Sequence, residues 1–158
     1  MKLKEKKINL AVENELNDSG IHPVLSKIFA ARKIDNSEHI NYKLDKLLSP
    51  NLLLSNIAVG EFLCQAILDN KKIVIVGDYD ADGATASACG VIGLKKFGGN
   101  VDFIVPNRFE YGYGLTPEIV ELALKKDPDI ILTVDNGIAS HDGVEAANKA
   151  GIDVIITD

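Results

Sequence analysis

The segment Ile73-Val74-Ile75-Val76-Gly77-Asp78-Tyr79-Asp80-Ala81-Asp82-Gly83 joins a wholly apolar, β-branched run to three aspartates set two residues apart. Four consecutive β-branched residues leave no polar face, which suits a strand covered on both sides. Small residues then carry a segment of helical character from Gly83 to Lys96. Beyond it, Val101–Val105 reads as a second strand. Thr116 and Pro117 form an N-cap and first helical position, opening a helix to about Lys126. Ile130–Val134 is a third strand. Ser140 is placed to cap a helix through Ala150, and Ile152–Thr157 closes the pattern as a fourth strand. Strands alternating with helices predict βαβ units with right-handed crossovers. The expected fold class is therefore α/β, a parallel sheet with helices on both faces.

On the N-terminal side the pattern is helical. MKLKEKK reads as a solvated basic tip and NELNDSG as a loop. Pro23, Val24, Leu25, Ile28, Phe29 and Ala30 recur at helical spacing and predict a helix over roughly 22–33. Pro50 interrupts the next stretch. Ala58, Phe62, Leu63, Ala66 and Ile67 then describe an amphipathic helix ending near Asp69-Asn70. The expected organisation is a helical N-terminal segment, 1–70, followed by the α/β domain, 71–158.

Composition narrows the function classes. The chain has 158 residues, 46% hydrophobic and 25% charged, which is ordinary globular usage. No stretch reaches the roughly 18 apolar residues of a membrane-spanning helix, and the charged N-terminus lacks the apolar core of a signal peptide. The expected location is the cytoplasm. A net charge of −6, from 17 basic and 23 acidic residues, argues against coating nucleic acid by bulk charge. Local phosphate binding stays open, because a metal ion can supply the positive charge. Cys64 and Cys89 lie in apolar contexts without a CxxC, which predicts two buried, reduced thiols.

The aspartates carry the chemistry. If the backbone stays extended past Gly77, strand alternation points Asp78, Asp80 and Asp82 to one side. Three carboxylates so close repel one another unless a cation sits among them. Asp135, in Thr133-Val134-Asp135-Asn136-Gly137, again follows an apolar strand, and so does Asp158 after Ile155-Ile156-Thr157. The carboxyl ends of parallel strands share one edge, where ligands bind. Asp80, Asp82, Asp135 and Asp158 are thus expected to converge. Such oxygen ligands suit Mg2+ or Mn2+.

Other readings of these residues fit less well. An EF-hand loop starting at Asp78 needs a glutamate where Cys89 stands, and a helix rather than a strand before it. Gly77 and Gly83 are one residue too far apart for a P-loop, and no GK[ST] follows. Gly112-Tyr113-Gly114 lacks the third glycine of a dinucleotide fingerprint. Aspartates that merely cap helices and turns remain the plain structural alternative.

The loop from Pro106 to Leu115 follows the second strand, so it opens on the same edge. Arg108 has the fork geometry for a phosphate, beside Asn107. Tyr111 or Tyr113 can stack on a base, and Gly112 and Gly114 let backbone N–H groups approach closely. A glycine-rich surface loop with an incidental arginine is the alternative. His22 reads as a helix start, His39 as a surface residue, and His141 as structural.

VGDYDADGATA, PNRFEYGYGL, TVDNGIAS and the closing IITD, in this order and spacing, resemble the DHH phosphoesterase superfamily. HPVLSKIFAARKI extends the likeness to roughly residues 22–158. The resemblance implies a Rossmann-like domain and a phosphodiesterase using two Mn2+ or Mg2+ ions. It makes Asp80, Asp82 and Asp135 the catalytic metal ligands, with Asp135 bridging, and Asp78 a further ligand or support. It implies that Asp158 orients a following histidine. The motifs are most similar to the superfamily's single-strand-specific 5′→3′ DNA exonucleases of recombination and repair. Their expected partners are single-stranded DNA and single-stranded-DNA-binding protein or other repair proteins, with no membrane. The family pattern has two histidines after Asp158, a later metal-binding aspartate, a second domain and an OB-fold. The expectation is accordingly the N-terminal part of a longer enzyme, a poor metal binder and inactive alone. The alternatives are a DHH enzyme acting on oligoribonucleotides, cyclic dinucleotides or pyrophosphate, and a non-catalytic module that binds nucleic acid or a partner.

Overall fold

The structure is a computed structural model that describes residues 6–158; the first five residues of the basic N-terminal tip lie outside the described residues. The chain forms two compact units, one ending at Leu52 and the other running from Leu53 to Asp158.

In the first unit α1 (Leu10–Asp18) packs against α2 (Pro23–Ala31). Asn9 caps α1 by accepting from the Ala11 N–H at 3.1 Å. This helix takes up most of NELNDSG, which the sequence reads as a loop; its turn comes only at Gly20, with φ +84°. Leu16 is the fully buried residue of this helix and anchors it, while Leu10 at its start is exposed. His22 starts α2, its Nδ1 accepting from the Val24 N–H at 3.3 Å. Lys33, at φ +66°, follows the helix end. Three single 3₁₀ turns follow in the described residues of this unit.

The second unit holds a four-stranded, all-parallel sheet of β1 (Lys72–Gly77), β2 (Asn100–Ile104), β3 (Ile130–Val134) and β4 (Asp153–Thr157), in the order β2-β1-β3-β4. The helices are α3 (Asn56–Leu68), α4 (Ala81–Lys96), the one-turn α5 (Arg108–Tyr111), α6 (Pro117–Leu124) and α7 (His141–Lys149). β1 and β3 are central and their apolar residues are buried, as short, nearly continuous apolar runs require. Ile73, Ile75, Ile130, Leu132 and Ile155 face α3 and α4. Val74, Val76 and Ile131 face α6 and α7. Each fully buried isoleucine contributes about 1.5–3 kcal/mol relative to exposure. Both faces are covered, as the sequence predicts.

Helix α3 belongs with the sheet. Ala66 lies in its core, with Val59, Leu63 and Ile67 packed against it, and the compact unit that holds the sheet begins at Leu53. Cys64 and Cys89 are not the buried thiols that the sequence predicts. Both are exposed: Cys64 lines a groove between α3 and α4, and Cys89 lines the open pocket that also holds Asp135 and Asp158.

The small residues of α4 set how closely it lies on β1. A side chain at Gly83 would overlap the Asp78 backbone, and one at Gly90 would come 2.8 Å from the Ile75 Cδ1 atom. Gly143 is equally tight in α7, where a Cβ would overlap the Leu115 carbonyl.

Candidate functional site

Sheet register builds the site. Gly77 of β1 pairs with Val134 of β3, and Val134 pairs with Thr157 of β4. The next residues in the three strands are Asp78, Asp135 and Asp158. β1 and β3 are also the neighbours from which the order runs outward in opposite directions, the switch point where ligands of open α/β sheets bind.

Asp78, Asp80 and Asp135 each offer a carboxylate oxygen, and the three oxygens lie within 4.8 Å of one another. Strand alternation does not bring these carboxylates together. Extended pairing stops at Gly77, Asp80 becomes the N-cap of α4, and Asp82 sits in the first helical turn. Asp80 Oδ1 accepts from the Gly83 N–H at 3.1 Å. Asp82 is thereby carried outside the three-oxygen cluster, although it lines one open pocket with Asp135 and Asp158. Asp158 Oδ2 accepts from the Ile138 N–H at 2.9 Å, bracing the turn after Asp135.

The electrostatics of the two strand ends differ. The Gly83 N–H, helped by the Arg108 guanidinium, holds the Asp80 carboxyl below its ordinary range. The Asp135 carboxyl is held above its range, first by lost hydration and then by the negative Asp80, Asp82, Asp78 and Asp158. Asp135 itself is at φ +60°.

The loop after β2 is more ordered than its glycines suggest. Arg108–Tyr111 form α5, with the Asn107 Oδ1 accepting from the Phe109 N–H at 3.0 Å. Asn107 thus caps a helix. One Arg108 guanidinium nitrogen donates to Asp78 Oδ2 and also lies 3.3 Å from Asp80 Oδ2. The guanidinium carbon stands 5.4 Å from the Tyr113 ring centre. Tyr113 is exposed, and its hydroxyl donates to the Asp135 carbonyl at 3.4 Å. Tyr111 is half-buried and packs against the core cluster that includes α6. Gly112 and Gly114 both adopt φ +81°. A Cβ on Gly114 would come 2.7 Å from Ser140 Oγ.

Two residues matter more here than their types suggest. Asn136 reads as a turn residue, yet it is buried, and its Nδ2 donates to the Val76 and Val134 carbonyls at 3.1 and 2.9 Å. It clamps β1 to β3 directly behind the carboxylates. Ser140 precedes α7 but makes no side-chain cap; its Oγ accepts from the Leu115 N–H at 2.9 Å, tying the β2 loop to α7. His22, His39 and His141 are outside the carboxylate cluster, and none is buried.

A parallel α/β domain with carboxylates gathered at its switch point defines a class of enzyme-like folds with a strand-end acidic site. Within that class the chain belongs to the DHH family: the model of the DHH family, N-terminal domain, matches residues 72–158. It is 47% identical over 147 residues to the single-stranded-DNA-specific exonuclease RecJ of Dickeya dadantii, covering 92% of this chain and 25% of that protein. To the RecJ of Bacillus subtilis it is 33% identical, covering 87% and 18%. Among solved structures, exonuclease RecJ bound to manganese matches with a TM-score of 0.64 and 38% identity, over 71% of this chain and 29% of that one. The RecJ of Thermus thermophilus in complex with Mn2+ matches with a TM-score of 0.61 and 30% identity, over 95% and 21%. The chain spans about a quarter or less of the length of the curated relatives it matches.

Proposed function

We propose that this chain supplies the carboxylate half of the metal centre in a DHH exonuclease that hydrolyses single-stranded DNA from the 5′ end. The observation that carries the reading is the meeting of Asp78, Asp80 and Asp135 oxygens within 4.8 Å at the switch point. Its support is the similarity to RecJ proteins, two of whose structures contain manganese. The donor set fits the ion. Carboxylate oxygens are hard ligands, and Asp135 lies in a field of like charge that a divalent cation would relieve.

In this reading Asp80 and Asp135 hold Mn2+ or Mg2+, Asp78 holds or supports a ligand, and Asp82 joins from the first turn of α4. The ions supply an activated water and a clamp for the scissile phosphate. The chain's own residues do the rest. Asn136 keeps the two strand ends in register. Asp158 braces the turn after Asp135. Tyr113 presents an exposed ring for a base, and Arg108 a guanidinium for a phosphate. Single-stranded-DNA-binding protein or other repair proteins are the partners such an activity calls for.

The test uses a whole protein containing this chain, with Mn2+ and 5′-labelled substrates. Rapid digestion of single-stranded DNA, lost in Asp135→Asn, is the expected result. Preference for dinucleotides would move the protein to another branch of the family, and metal-independent DNA binding without cleavage would make it a binding module.

A further inference from the structure

We propose that Arg108 is an internal counter-cation of the acidic cluster, which a divalent ion must displace and which is thereby released toward the substrate phosphate. The inference rests on reading the cluster as a metal centre and adds an exchange between two cations. The guanidinium bonds Asp78 Oδ2 and reaches Asp80 Oδ2 at 3.3 Å, so it engages two of the three carboxylates that form the cluster. Its charge offsets one of three negative charges. A divalent ion among the same oxygens would sit beside the guanidinium and repel it, so the two cations compete for the same lone pairs.

The surroundings suit a side chain with two positions. Arg108 Nε is buried and has no hydrogen-bond partner among the described residues, so the present pose leaves one of its donors unused. Tyr113 offers a ring face at 5.4 Å, which holds a guanidinium without fixing its direction. Gly112 and Gly114, both at φ +81°, flank Tyr113 on the loop that carries the pair. Asn107 caps the one-turn helix beneath Arg108, so the backbone stays in place while the side chain swings.

The test is Mn2+ binding by a whole protein containing this chain, read as loss of the free-ion electron paramagnetic resonance signal. Removing the competitor in Arg108→Gln is expected to tighten Mn2+ binding by about tenfold, the scale of one charged hydrogen bond. Arg108→Lys, which keeps the charge but loses the fork, is expected to fall between. On the unaltered protein, Mg2+ should shift the Arg108 side-chain nitrogen resonances and speed guanidinium rotation. If the unaltered protein binds Mn2+ and Arg108→Gln binds it no better, or worse, the exchange is overturned while the metal centre stands. If Mg2+ leaves the guanidinium resonances unmoved at saturation, it is likewise overturned. If neither whole protein, unaltered or Arg108→Gln, binds Mn2+, the metal centre itself fails, and the exchange with it.

Discussion

The ends of β1 and β3 each present a carboxylate to the same few ångströms, yet the protein treats them in opposite ways. After β1 the charges are answered from within. The Tyr79 N–H donates to Asp78 at 2.7 Å, the Gly83 N–H to Asp80, and Arg108 to both. After β3, the Asp135 carboxylate accepts no hydrogen bond from the described residues, and the charges that bear on it are mostly other carboxylates. One end is held by the fold and the other has surplus negative charge. That asymmetry is expected of a site prepared for a cation, since aspartates serving only as caps would each find a donor.

The largest expected effect separates the two ends by metal affinity. Asp135→Asn should weaken Mn2+ binding by about 10–100-fold, at least the scale of disturbing a supporting ligand. An unchanged affinity would assign the ion to the β1 end alone. Next comes the packing behind the β1 end. Gly83→Ala forces a methyl into the Asp78 backbone, and we expect a loss of about 3 kcal/mol in urea unfolding. A neutral result would mean that α4 does not press on the strand end. Asn136→Ala removes two buried hydrogen bonds between the ends and should cost about 1–3 kcal/mol, again by urea unfolding.

The smallest effect is a difference of sign with pH. The Asp80 carboxyl is depressed in the folded chain, so its stabilisation is present above its unfolded pKa and is lost as pH falls through the folded value. The Asp135 carboxyl is raised, so its protonated form favours folding, and that contribution is lost as pH rises through the folded value. In metal-free buffer at neutral pH, Asp80→Asn should therefore lower the melting temperature and Asp135→Asn raise it. Both differences should fade in acid. Two shifts of the same sign would remove the contrast between the strand ends.

How much of this was legible in the sequence depended on whether the signal was local. The strands were, because nearly continuous apolar runs such as Ile73–Val76 and Ile130–Val134 leave no other placement for their side chains. The meeting of Asp80 and Asp135 was also legible, since parallel strands share a carboxyl edge. The direction of Asp82 was not: it turns on the helix beginning at Ala81, and the aspartate spacing alone suits a strand equally well. Helix α1 was hidden because LAVENELND carries many polar residues and buries only Leu16. The exposure of Cys64 and Cys89 was hidden because apolar neighbours do not tell which helix face a residue occupies. The ion pair of Arg108 with Asp78 joins residues 30 apart and exists only through the β1–β2 register.

The most direct measurement is paramagnetic broadening of the backbone amide signals by substoichiometric Mn2+. The account predicts that Tyr79, Asp80 and Gly83 after β1 broaden together with Asp135, Asn136 and Gly137 after β3, at the same ion concentration. Broadening confined to one strand end, or spread evenly over the acidic surface, would contradict a single shared centre.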